Sequence, residues 1–171
     1  METSLQQVLM AFRKAEMIAW MEAHPEKFDQ VIELALGDRQ PLSWRAAWLL
    51  WSCLQENDPR MHRHLPALVA AVEGKRDGHQ RELVKVLLLM ELDEGLEGRV
   101  FDLCMTLWER IHAAPSVRYT ALKMVLRIAG KYPDLQNDLR FFLQEHYLET
   151  LSPGIRHAVR RMVKESGTDF A

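Results

Sequence analysis

The sequence predicts an all-α fold: an α-α superhelix of about four antiparallel helix pairs behind an N-terminal capping helix. Three observations predict it. Arg45, Arg81, Arg118 and Arg156 recur at steps of 36, 37 and 38 residues. Each opens a similar stretch: Trp44-Arg45-Ala46-Ala47-Trp48-Leu49, Gln80-Arg81-Glu82-Leu83-Val84, Val117-Arg118-Tyr119-Thr120-Ala121-Leu122 and Ile155-Arg156-His157-Ala158-Val159. A period in this range marks a tandem array of helix pairs. All seven prolines fall near the edges of apolar-periodic segments, as expected of a residue that fits a first helical turn and breaks an interior. No segment alternates with period two beside hairpin turn chemistry, so no sheet is expected.

The elements follow in order, with boundaries placed to about two to four residues. A first helix over 4–23 opens on Ser4 and Gln7, which resemble a capping box. Leu5, Val8, Leu9 and Phe12 give it one apolar stripe, and it has no partner in the arginine register, so it reads as the cap of the array. Helices over 25–36 and 42–56 are punctuated by Pro25, Gly37 and Pro41. Asp58-Pro59 starts a helix over 60–73, with Pro66 and Gly74 near its ends. Asp77 with Gln80 resembles a second capping box, opening 78–92. A helix over 96–112 follows, then 115–130 between Pro115 and Gly130, 134–148 after Pro133, and 153–166 after Ser152-Pro153. The second helix of each pair begins near its arginine, and its partners are 25–36, 60–73, 96–112 and 134–148. Short connections force each pair antiparallel, and only stacking of neighbours buries their apolar faces. With no long linker, residues 1–171 read as a single domain. The tail from Gly167 to Ala171 is expected to fray.

The bulk numbers exclude some functions. Net charge is −2, with 48% hydrophobic and 27% charged residues. This is the composition of a soluble globular protein, and it argues against a protein whose main affinity comes from phosphate neutralisation. The richest apolar run, Leu83 to Leu92, is interrupted by Lys85 and Glu91 and cannot span a bilayer. Met1-Glu2-Thr3-Ser4 lacks the basic-then-apolar pattern of a signal peptide. A cytoplasmic location is expected. Cys53 and Cys104 stand alone in apolar helix patterns and read as small buried hydrophobes, kept as thiols by cytosolic reduction.

Ser43-Trp44-Arg45-Ala46-Ala47 and Ser116-Val117-Arg118 carry the pattern of a small or apolar residue, then arginine, that opens the second helix in HEAT repeats; Gly78-His79-Gln80-Arg81 and Gly154-Ile155-Arg156 follow it more loosely. Asp38 and Asp77 match the aspartate that often stands in the preceding turn. Over about residues 25–165 the chain resembles the HEAT-like α-solenoid family, as a bacterial-type member. The resemblance implies a scaffold for protein contacts. Some members bind DNA, and some act as small-molecule lyases.

Candidate sites each carry two readings. Trp44, Trp48 and Trp51 lie at i, i+4 and i+7 on one helix face. They could hold a flat or cationic ligand, as an aromatic cleft holds a cationic base in alkylation-repair proteins of HEAT-like build, or they could be packed, since Ala47, Leu50 and Leu54 form a second apolar face beside them. Arg45, Arg81, Arg118 and Arg156 could line the concave surface, or tether the preceding turns and pair with Asp38, Asp77, Asp102 or Glu109. Arg156, Arg160, Arg161 and Lys164, with His157 nearby, make the last helix basic opposite Ile155, Val159, Met162 and Val163. This is either a patch for an acidic partner or phosphate, or a solvated face. His62-Arg63-His64, with His79, lacks the spacing for convergent metal ligands, and no metal or cofactor is expected. Glu91, Asp93, Glu94 and Glu97 read as solvated charges of an inter-helix turn. No GxSxG, phosphate-cradling glycine loop or Cys–His pairing stands out, so the sequence supplies no positive evidence for an enzyme.

These readings lead to a non-enzymatic protein-binding scaffold or adaptor that uses its concave face, with a protein or peptide as partner and no membrane. The alternative is a nucleic-acid-binding protein of the DNA alkylation-repair kind. A small-molecule lyase or isomerase would need a deep polar pocket, and the sequence offers no constellation for one. A short solenoid leaves apolar flanks at its ends, so a homodimer is a further expectation.

Overall fold

The computed structural model describes residues 4–168. Among them every regular element is helical, with no strand. The expectations on Met1 to Thr3 and on Asp169 to Ala171 lie outside the described residues. The chain divides into two compact units, Met1–Glu91 and Leu92–Ala171.

The first unit is built around one helix. It contains α1 (Leu5–Ala11), α2 (Lys14–Ala23), α3 (Phe28–Leu36), α4 (Leu42–Cys53), α5 (Leu65–Val72) and α6 (Asp77–Leu88). α3 packs on α4 and α5 on α6, the two pairs that the arginine register predicts; α1, α2 and α6 all lie against α4. α4 can serve as a hub because its Ala46, Ala47, Leu49 and Leu50 are all fully buried, and two alanines in succession allow close approach of neighbours.

The second unit repeats that plan. α7 (Glu94–Glu109) packs on α8 (Pro115–Ala129), followed by α9 (Pro133–Leu139), α10 (Glu145–Leu148) and α11 (Pro153–Glu165). α8 is the hub, touched by α7, α9 and α11. Val117, Ala121, Leu122, Met124 and Val125 are buried on several sides of it, while Lys123 stays exposed.

Start signals held where a side-chain oxygen could reach an orphan amide. Ser4 and Gln7 form the expected capping box. Asp58 accepts from the Arg60 amide and Ser152 from the Ile155 amide. Asp77 is instead the first residue inside α6, and Gln80 turns back to donate to the Val72 carbonyl at 2.9 Å, so no capping box forms there.

Three expected long helices are broken. The helix over 4–23 splits because Phe12 and Arg13 are extended; Glu16 caps α2 by accepting from the Arg13 amide at 2.7 Å. The helix over 60–73 starts as a 3-10 turn, Pro59–His64, and becomes α-helical only at Leu65. Pro66 has no N–H to continue the earlier ladder, so the change falls there. The segment over 134–148 divides into α9, a 3-10 turn (Arg140–Phe142) and α10. Side chains take carbonyls in this segment: the Trp108 indole donates to Phe142 at 2.7 Å and Arg118 to Tyr147 at 2.6 Å. These bonds replace helical ones and stabilise the irregular path. The fourth pair is therefore fragmented, and α11 rests mainly on α8.

One glycine end agrees with expectation and one differs. Gly74, past the end of α5, has φ +75°, a conformation natural to glycine. Gly167 has the same value, and its amide and that of Thr168 donate to the Lys164 and Val163 carbonyls. These two residues close α11 in an ordered cap instead of fraying, with Thr168 buried.

Candidate functional site

The two faces of α4 separate the tryptophans from the core. Trp44, Trp48 and Trp51 are all half-buried, beside the fully buried Ala46, Ala47, Leu49 and Leu50. α2 and α6 flank this aromatic row. Lys14, the first residue of α2, places its ammonium 5.6 Å from the Trp48 ring and 5.9 Å from that of Trp51. Lys85 of α6 stands 4.3 Å from the Trp51 ring. Ammonium groups at these distances are attracted by the negative face of the indole. The Trp44 indole lies against Gly78, where an added Cβ would stand 3.7 Å from Nε1.

A carboxylate completes the cluster. Glu82 on α6 has no solvent exposure and bonds Arg81 at 2.6 Å and Lys85 at 3.2 Å. A buried acid requires such partners, because an unpaired charge out of water is very costly. Arg81 and Lys85 keep about a third of their side-chain surface, at 30% and 29%. The rings, two lysines, an arginine and an acid thus stand together on one face of the first unit. Sequence reasoning found the tryptophans and Arg81 but missed Lys14, Glu82 and Lys85. The available signal was the run Arg81-Glu82 with Lys85 three residues on, charged positions that one helix face brings together.

The four arginines share a place in their helices: the fourth residue of α4, α8 and α11, and the fifth of α6. Three donate to main-chain carbonyls. Arg45 reaches Leu9 and, at 3.2 Å, Phe12, clamping the break between α1 and α2. Arg118 is wholly buried. It donates to Trp108 at 2.9 Å, Tyr147 at 2.6 Å and the Thr150 hydroxyl at 2.9 Å, and lies 4.7 Å from the Trp108 ring. Burial holds its guanidinium below the usual arginine range. Arg156 donates to the Glu149 carbonyl at 3.1 Å and lies 3.8 Å from the Glu145 carboxylate, while its Nε–H is buried with no partner among the described residues. Arg118, through Trp108, and Arg156, through Glu149, hold the chain just before their own helices, whereas Arg45 clamps the distant Leu9–Phe12 segment; Arg118 offers no surface to a partner. Arg81 differs, being bonded to Glu82. Asp38, an expected arginine partner, instead pairs with Lys75.

The basic side of α11 is exposed at Arg160, Arg161 and Lys164. Arg160 pairs with Glu145 at 3.1 Å and Arg161 approaches Glu165 at 3.9 Å, so neighbouring acids partly neutralise this patch. The histidines diverge. His62 bonds Asn57, His64 bonds Asp29, and His79 is buried between the Gln40 amide and the Ala35 carbonyl.

The acidic cluster needs a correction. Glu91, Asp93 and Glu94 are exposed, and Asp93 caps α7 by accepting from the Leu96 amide at 2.8 Å. Glu97 is inside α7 and buried, bonded by Lys131 and by the Tyr132 hydroxyl at 2.8 Å. Burial pushes its pKa up, but these bonds outweigh it and hold the carboxyl below the usual range. Spacing alone placed Glu97 in a turn; a partner 34 residues away draws it into the protein. The thiols are unreactive in character: burial raises Cys53 to about 11 and Cys104 to about 12.

The chain matches the HEAT repeat domain family over residues 1–166, and it belongs to that family. No curated protein and no solved structure matches it. Its architecture is all-helical, with helices packed in neighbouring pairs as in a helical repeat, and no described helix is long and apolar enough to cross a membrane.

Proposed function

We propose that this chain is a non-enzymatic adaptor that binds a protein or peptide through the tryptophan face of α4. One observation carries the reading: Trp44, Trp48 and Trp51 stand partly exposed in a row beside a face of the same helix that is fully buried. Rigid, partly exposed indoles are the residues on which binding energy concentrates at protein interfaces. HEAT repeats supply the stiff scaffold that keeps such a row in place without a ligand. Trp48→Ala tests this. It should weaken retention of protein partners on the immobilised chain by at least about tenfold, while lowering the melting temperature by only a few degrees, since the ring is not in the core. Unchanged retention by a folded Trp44→Ala/Trp48→Ala variant would sink the reading.

The nucleic-acid alternative draws on the same face, where rings, cations and a carboxylate stand together. Two details weigh against it. Glu82 is buried, with both oxygens held by Arg81 and Lys85, which leaves no free carboxylate to receive a cationic base. That pairing also reduces the positive charge open to phosphates. Affinity for an oligonucleotide falling steeply with salt would favour the alternative.

A further inference from the structure

We propose that the tryptophan face of the first unit recognises an acidic peptide segment, with an aromatic or aliphatic side chain of that segment laid on Trp48 and its carboxylates beside Lys14 and Lys85. The inference rests on the adaptor reading and adds the chemistry of the partner.

The charges around the row point one way. Lys14 and Lys85 stand over the rings themselves, and the carboxylate bonded beside them, Glu82, is shared between Lys85 and Arg81, on a chain whose net charge is −2. Glu82 has no exposure, so a partner arriving from solvent meets the cations and not the acid. The Lys14 and Lys85 ammoniums both stand over the Trp51 ring, which puts them within about 10 Å of each other. Carboxylates two or three residues apart on an extended peptide can span that interval, at about 3.3 Å of chain per residue. Lys14 is exposed and makes no ion pair among the described residues. Glu22 acts on Cys53 at the helix end, and Asp77 opens α6 two turns before Lys85, next to the Gly78 that meets Trp44.

The same features select against other occupants. A basic peptide would place like charges against Lys14 and Lys85, with only a buried carboxylate in compensation. A nucleic-acid strand needs a track of cations along its phosphates, whereas this face holds three cations, two of them tied to Glu82. An acidic segment needs only two or three charge contacts plus one apolar anchor, and the half-buried Trp48 ring supplies the surface for that anchor.

The test uses the full chain and fluorescence polarisation. Labelled dodecapeptide pools, in which Asp and Glu flank a central Phe, Trp or Leu, are compared with pools carrying Lys in place of the acids and with a thymidine dodecanucleotide. The acidic pool should bind most tightly and weaken as salt rises. Lys14→Ala should weaken it about fivefold, and Lys14→Glu further. Trp48→Ala should weaken it more than about tenfold. Lys14 is exposed, so its variants should melt with the wild type, which separates lost contact from lost fold. Equal or tighter binding of the lysine pool or of the oligonucleotide overturns the inference, as does indifference to Lys14→Glu. If Trp48→Ala still abolishes partner retention in that event, only the acidic preference has failed. If partner retention also survives Trp48→Ala, the adaptor reading has failed with it.

Discussion

Arg118 and Arg81 occupy nearly the same step of the same repeat, yet one is sealed in the core and the other edges a charged surface. The difference comes from what surrounds each guanidinium. Arg118 meets two main-chain carbonyls and a hydroxyl in fixed positions, a set that a planar fork can satisfy together. Arg81 meets a buried carboxylate at the adjacent residue. Arg118→Ala should therefore cost about 3 kcal/mol or more, because it opens a cavity and strips two buried carbonyls of their donor. Arg118→Lys should recover little, since one ammonium cannot reproduce the fork. The denaturant midpoint checks both. Loss smaller than about 1 kcal/mol for the alanine variant would contradict the tether.

Helices in this protein begin where the sequence says they do more often than they continue as it suggests. N-terminal signals are local: an oxygen at Ser4, Asp58, Asp93 or Ser152 reaches an amide two or three residues away. Interruptions are not local. The break between α1 and α2 is clamped by Arg45, 33 residues from Phe12, and the irregular path after α9 is held by Trp108 and Arg118. No window of neighbouring residues contains those donors. α7 offers a test at this scale. Gly98 lies inside the helix, exposed, with nothing within 4 Å of where a Cβ would stand and no positive φ. Gly98→Ala should raise stability by about 0.5–1 kcal/mol by removing backbone entropy from the unfolded chain. A denaturation curve that moves the other way would mean that this surface of α7 is covered.

For the molecule as a whole, acid should act in two stages. His79 is buried, and burial holds its pKa below the usual 6.5, so the fold favours the neutral ring; its contribution is present above pH 6.5 and declines as pH falls toward the lowered folded value. The carboxyls of Asp58, bonded by Arg60, and of Glu97 lie below their ordinary values of 3.8 and 4.5. Their contribution is complete above those values and is lost as pH drops through the lower folded ones. Stability against urea should thus be flat from about pH 6.5 to about pH 8, decline gently below that window, and fall again in the carboxylate range. His79→Asn should remove the upper stage and leave the lower. A single transition confined to the acid end would remove His79 from the account.

What the sequence by itself determined is the repeat: the arginine period, the prolines and the apolar stripes dictate helices and their pairing, because propensity, capping and periodicity are all properties of near neighbours. The tertiary structure alone decided which features face solvent. The spacing of Trp44, Trp48 and Trp51 is the same for a packed row and an exposed one; the positions of α2 and α6 leave them partly covered, Trp48 and Trp51 by Lys14 and Lys85 and Trp44 by Gly78. Burial also turned Arg118 into a clamp, Glu82 into a counter-ion and Glu97 into an internal anchor. Burial depends on residues tens of positions away, and no local pattern encodes it.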